Sequence, residues 1–391
     1  MYRSVDKTSV NISLFYLFFF FGMGTLYPLL SVYLKQEIHL SGTQIGAILS
    51  VSPVVMIIAQ PIWGVICDYT RKPRGVLLLA LCLTGLLAIP YSFSDSYIAF
   101  IIFSILLAVF QSAIIPVSDS ITLNYVTATK KDYGNFRLWG AVGFALAVFV
   151  MGTLAETTGL KIIFYCFAGV LILCMLFVLS MPKENNTIQV DLRTGISKLF
   201  RMPKFVLFLF TTFSVFGPIL SNNFYFGLYI QELGGTLIGV GIAFLLATGS
   251  EAPFMKFSGN WIRKAGIEKI LITATLISAL RWLFYFTEPS LAVVYATTIA
   301  QGLSIGLFIP AALQYVREIA PKDIKVTAVA LYSSVGNGLG SWFCTFFGGM
   351  IYEAFSLFAM YLFFGTMTFV GLILLIINFY FLNKASTIKT G

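Results

Sequence analysis

Apolar residues run through this chain in long, nearly unbroken blocks. They lie at about 11–34, 42–66, 75–93, 97–125, 136–156, 160–181, 204–230, 236–260, 268–287, 290–316, 327–352 and 356–382. Most reach or exceed the ~20 apolar residues a helix needs to cross a bilayer core. The pattern predicts an all-α membrane protein with twelve transmembrane helices. Ser41-Gly42, Thr158-Gly159, Gly234-Gly235 and Pro321 mark short connections between blocks. The longest polar stretch, 182–203, follows the sixth block. It divides the chain into an N-terminal six-helix half (1–181), a cytoplasmic central loop (182–203) and a C-terminal six-helix half (204–391). The first block is longer than a signal-peptide core of roughly 7–15 residues and is closed by no small-residue cleavage site, so it is read as a retained span.

Composition agrees. Hydrophobic residues make up 58% of the 391 and charged residues only 10%, against roughly 25% charged in soluble domains. The formal charge is +9, which by itself would suggest a nucleic-acid partner. The placement of that charge excludes one. With both termini cytoplasmic, all of the 25 Lys and Arg except Lys35, Lys161 and Arg281 fall at the termini or on the cytoplasmic side. That is the positive-inside pattern. The five cysteines have no metal-ligand spacing, and the lone histidine, His39, lies in a loop signal. Neither a metal site nor His-based catalysis is expected, and no cofactor. No GxxxxGK[ST] phosphate loop is present, which argues against ATP-driven transport.

The two halves repeat one another. A shift of 192 carries Pro61 to Pro253, Asp68 to Asn260 and Arg71-Lys72 to Arg263-Lys264; a shift of 194 carries Ile115-Pro116 to Ile309-Pro310. Parallel six-helix repeats of this kind characterise major facilitator transporters, whose substrate site lies near mid-membrane between the halves.

A few charges sit inside the apolar blocks. An Asp at the centre of a membrane helix costs about 2.5–3.5 kcal/mol, so each needs a partner, a wet cavity or a function. Asp119 and Arg137 are equidistant from the turn at Ala128, which puts them at one depth, ~13 Å along their helices at ~1.5 Å per residue. Glu251 and Arg281 are likewise equidistant from Gly266, and deeper. Each pair is either a structural bridge between neighbouring helices or the lining of a polar cavity that binds a solute or proton. A buried pair stabilises poorly against an apolar replacement, which favours the cavity. Asp68 sits at a cytoplasmic helix end with Arg71, Lys72 and Arg74. It is either a solvated loop charge or a latch between helices. Gly336, Gly338 and Gly340 imitate a nucleotide loop but follow no strand, so close helix contacts are expected of them. The aromatics of FYLFFFFGMGTLY are expected to face lipid or pack, with Tyr27 reaching the cavity.

FFFFGMGTLYPLLSVYL, QPIWGVICDYTRKPR and YGNFRLWGAVGF, with Glu251 twelve residues before Arg263-Lys264 and followed by LRWLFYF, resemble the oligosaccharide:proton symporters typified by lactose permease, and within them the phenylpropionate permease branch. The resemblance implies the major facilitator fold. It also implies substrate binding by Asp119, Arg137, Phe144, Glu251, Tyr27 and Asn222, and proton coupling through Glu251, Arg281 and Gln301. Gly64, Asp68, Arg71 and Lys72 would form a cytoplasmic conformational latch. Several positions depart from the group. Asp119 stands where a glutamate is usual and Phe144 where lactose permease has Trp. Gln301 replaces a histidine, Ser304 a glutamate and Asn222 an aspartate. In the latch signature Tyr69 replaces a basic residue and Arg71 a glycine.

The expected function is proton-coupled import of a small polar or amphipathic solute (a sugar, glycoside, nucleoside or aromatic acid) by alternating access across a bacterial inner membrane. An exporter of an amphipathic compound and a non-transporting receptor are the alternatives, and an enzyme is not expected. The expected partners are the small-molecule substrate, a proton and the lipid bilayer, with the chain a monomer.

Overall fold

In a computed structural model of the chain, residues 6–131, 133–182, 197–321 and 324–381 are described. The basic residues Arg3, Lys183, Arg193, Lys322, Lys384 and Lys389, and most of the central loop, lie outside them. The described residues form helices almost throughout. These are α1 Lys7–Gln36, α2 Gly42–Thr70, α3 Pro73–Tyr91, α4 Tyr97–Thr129, α5 Tyr133–Thr158 and α6 Ile162–Val178, followed by α7 Pro203–Glu232, α8 Leu237–Ala265, α9 Ile267–Phe286 and α10 Leu291–Ile319. Helix α11 runs from Lys325–Ser333 through a π-helical stretch, Ser334–Gly340, into Ser341–Ala354; α12 runs over Leu357–Ile376 and ends in Ile377–Phe381. Every apolar block coincides with a helix, extended at most ends by a few residues into polar flanks.

Among the described residues ten helices are long and apolar enough to cross a membrane. The other two blocks are shorter or broken. Helix α6 has 17 residues, and α11 is interrupted by the wider π-helical turn, a feature often found at functional sites. Local chemistry fixes the ends. Asp6 accepts from the Thr8 amide to cap α1, and Ser41 and Gln44 form a capping box on α2. The related positions Pro61, Pro116, Pro253 and Pro310 all lie inside helices, where neighbouring helices compensate for the lost backbone bond.

The chain forms two compact units. The first contains α1 to α6 together with Phe224–Gln231 and Gly235–Leu245; the second contains the rest of α7 and α8 with α9 to α12. In the first, α1 is the central helix and packs most extensively on α5 and α6. Its aromatics Phe15, Tyr16 and Phe19 are buried inside the unit, so the packing role holds for these three. In the second, α9 packs on α12 and α10, and Gly336 and Gly340 of α11 serve helix contact: a Cβ on Gly336 would stand 2.8 Å from Thr212 Cγ2 and one on Gly340 2.7 Å from the Phe213 carbonyl oxygen.

Candidate functional site

Helix α5 opens with Tyr133, Arg137, Gly140 and Gly143, spaced at three or four residues and therefore on one face. The two glycines let α1 approach closely. A Cβ on Gly143 would lie 2.0 Å from the Leu17 carbonyl oxygen, and one on Gly140 would lie 2.7 Å from the Phe20 ring. Helix α1 answers with Gly24, against which the Phe144 carbonyl packs at 2.6 Å from the missing Cβ. This seam brings the α1 residues Tyr16 and Phe20, themselves four apart, under the Arg137 side chain. The guanidinium carbon stands 4.4 Å from the Phe20 ring centre and 5.7 Å from that of Tyr16. Desolvated contacts of this kind are worth about 2 kcal/mol or more and exposed ones roughly 0.5–1.

Asp119 of α4 faces the same place. Its Oδ1 lies 3.9 Å from Arg137 Nη1, and the two side chains are 26% and 37% exposed. The equal-depth placement expected of these residues is thus found, but as an open pair, since 3.9 Å is beyond hydrogen-bond range. The same Oδ1 accepts a 2.5 Å bond from the Tyr16 hydroxyl. Among the described residues Arg137 Nη1 is buried without a hydrogen-bond partner. Tyr133 stands edge-on to Tyr16 at 6.4 Å, and its hydroxyl also interacts with Asp119. The assembled group is a carboxylate and a guanidinium of zero net charge, partly exposed and walled by aromatic rings. Sequence reasoning missed Tyr16, Phe20 and Tyr133. The available signal was the Gly140/Gly143 pair, which marks a close helix seam, and a tyrosine in a run of phenylalanines.

The other expected residues fall into three places. Phe144 meets Phe244 edge-on at 6.2 Å, and Phe244 in turn meets Phe226 at 5.5 Å. Its ring is engaged in an aromatic cluster of the first unit. Tyr27 donates to Gln111 Oε1 at 2.5 Å and lines a cavity of about 20 Å³ with Ser52, Tyr91 and Ser104, room for about one water. In the second unit, Arg281 is 5% exposed, with its guanidinium 4.4 Å from Trp282 and 4.7 Å from Tyr285. Glu251 lies within electrostatic reach of Arg281. Asn222 is fully buried and accepts from Tyr361 at 2.9 Å; its Nδ2, Gln301 Oε1 and Ser304 Oγ are buried without a hydrogen-bond partner among the described residues.

In the signature at the end of α2, Gly64 has open space where a Cβ would stand. Asp68, Arg71 and Lys72 are exposed. Arg71 ends α2 in the left-handed region at φ 51°. That backbone state is the one glycine adopts without strain, and it explains why glycine is usual at this position of the signature.

The MFS_1 like family model matches residues 9–363. The chain belongs to the MFS_1 like family. Maltose permease of Geobacillus stearothermophilus is 49% identical over 365 residues, covering 93% of each chain. The uncharacterized transporter YwbF of Bacillus subtilis (strain 168) is 43% identical over 358 residues, covering 91% of this chain and 90% of that one. The crystal structure of the nucleoside transporter NupG (D323A mutant) matches with a TM-score of 0.86 at 15% identity, over 95% of this chain and 100% of that one; the likeness there is one of fold. This MFS_1-like chain is therefore an integral, multi-pass membrane transporter and not an enzyme.

Proposed function

We propose that this MFS_1-like chain is a secondary active importer of a neutral, hydroxyl-rich solute of the oligosaccharide class, with Asp119 and Arg137 as its binding pair. The open, aromatic-walled Asp119–Arg137 pair carries the proposal. A carboxylate accepts from sugar hydroxyls, and a guanidinium fork donates to two adjacent oxygens. The pair has no net charge, so it suits a neutral ligand. An aromatic acid would set a second carboxylate beside Asp119. The name of the 49% identical maltose permease points to the same class.

The wider reading goes with it. Twelve spans with both termini cytoplasmic account for the distribution of Lys and Arg, and a bacterial plasma membrane is the expected location. Two six-helix halves alternate access in a monomer, with Asp68 and its basic neighbours as the cytoplasmic latch. Glu251, held near Arg281, takes the coupling proton, because the position usual for histidine in the lactose-permease-like group is Gln301 here.

Uptake in right-side-out vesicles tests the proposal. Maltose or a maltooligosaccharide should accumulate under an imposed proton gradient, and Arg137→Lys should raise the half-saturation concentration sharply, since an ammonium lacks the planar fork. Accumulation of a nucleoside or of an aromatic acid instead would replace the substrate class. Binding without accumulation would make the chain a receptor, and transport only in inverted vesicles an exporter.

A further inference from the structure

Tyr16 is 1% exposed, and its hydroxyl has two acceptors in reach: Asp119 Oδ1 at 2.5 Å and Thr122 Oγ1 at 3.3 Å. Thr122 gives its own proton to the Ser118 carbonyl at 2.8 Å. A phenol has one proton, and the shorter contact takes it, so Tyr16 donates to Asp119. The bond lands on the oxygen that lies nearest Arg137, 3.9 Å from Nη1. The Tyr16 ring meanwhile flanks the guanidinium at 5.7 Å, opposite no competing carboxylate on α1. The result is, among the described residues, a buried Arg137 Nη1 with no hydrogen-bond partner, 3.9 Å from a carboxylate oxygen that accepts from Tyr16 instead.

Arginine and carboxylate at such separation ordinarily close into a bidentate, charge-assisted pair. Here the closed pair would consume the donors that the proposed function assigns to the solute. We infer that Tyr16 is a positioning residue that holds the Asp119 carboxylate off Arg137 and so keeps the guanidinium fork free for the incoming solute. The inference rests on the reading of Asp119 and Arg137 as the binding pair, and its own content is the separation of the two charges by the Tyr16 hydroxyl. That separation also gives the α1 residue a chemical reason to be tyrosine within a phenylalanine run, since phenylalanine would fill the same space on the seam.

Two measurements test it. The first needs no substrate: modification of Arg137 by phenylglyoxal in the purified full-length protein, followed by peptide mass spectrometry, with the exposed Arg263 as internal reference. Tyr16→Phe should slow modification of Arg137 several-fold and leave Arg263 unchanged, because the carboxylate closes onto the guanidinium. Adding Asp119→Asn to Tyr16→Phe should restore the wild-type rate, because the competing charge is gone. A defect of packing would not be reversed in this way. An unchanged Arg137 rate in Tyr16→Phe, or a slowed rate that Asp119→Asn does not restore, overturns the inference. The second measurement is half-saturation and maximal rate for maltose uptake. Tyr16→Phe should raise half-saturation about tenfold, the effect of one charge-assisted hydrogen bond, with the maximal rate within about twofold of wild type. Wild-type kinetics in Tyr16→Phe alongside a large loss in Arg137→Lys would remove Tyr16 and leave the binding pair standing. Wild-type kinetics in both variants would remove the binding pair, and this inference with it.

Discussion

Gly143→Ala should separate helices α1 and α5 and weaken solute binding at a residue that touches no solute. The added Cβ would stand 2.0 Å from the Leu17 carbonyl oxygen, 2.8 Å from its carbon and 3.1 Å from the Leu17 Cα. All three are backbone atoms, so no rotamer change relieves the clash. Restoring an ordinary 3.4 Å contact requires α1 to withdraw by ~1.4 Å, and overpacking of this size costs about 1–3 kcal/mol. The same withdrawal lifts Tyr16 and Phe20 away from Arg137, whose guanidinium sits 4.4 Å from the Phe20 ring. A cation–π contact and the Tyr16–Asp119 bond are both lost over such a distance. Thermal unfolding in detergent and maltose affinity, measured on the same preparation, check the expectation. Gly169→Ala in α6, where a Cβ would meet nothing within 4 Å, is the control and should be neutral or slightly stabilising, since alanine favours helix by about 0.8–1.0 kcal/mol over glycine. If Gly143→Ala unfolds at the wild-type midpoint and binds normally, the seam does not position the site.

Glu251→Gln should abolish gradient-driven accumulation while leaving counterflow at least partly active; accumulation with wild-type pH dependence in that variant would remove Glu251 from coupling. At the N-terminal end of α1, hydrogen bonds from Lys131 and then Tyr125 hold the Asp6 carboxyl down at about 2 from an ordinary 3.8. A depressed folded value means the contact stabilises fully above pH 3.8 and is lost as pH falls toward 2, so Asp6→Asn should be less stable than wild type at pH 7 and equal to it near pH 2. Arg71→Gly should raise the unfolding midpoint, by about 0.5–1 kcal/mol of stability, because it relieves a left-handed residue at φ 51°; a lower midpoint would mean the Arg71 side chain makes a compensating contact. Glu156 Oε2 accepts from the Leu237 amide at 2.7 Å and so caps α8; Glu156→Ala should cost about 1 kcal/mol and Glu156→Gln less, read by the same unfolding assay.

The sequence by itself determined the helices, because a bilayer-length apolar block has one economical backbone solution, and the described helices fall on all twelve blocks. It also placed Asp119 and Arg137 level with one another: two antiparallel helices leaving a common turn preserve distance along the chain, and the pair meets at 3.9 Å. The left-handed end of α2 at Arg71, φ 51°, was not read from the sequence, although the signature's usual glycine was the signal for it. What lay beyond the sequence was which third helix comes to a pair and with which face. Tyr16 is 103 positions from Asp119, and Tyr361 is 139 from Asn222. In an all-apolar helix no hydrophobic stripe marks the inner face, so periodicity does not say that Tyr16 points to α4 or that Phe144 turns to Phe244. Those directions come from where backbones can approach, at Gly24, Gly140 and Gly143. Close packing of that kind involves several helices at once, and only the tertiary structure decides it.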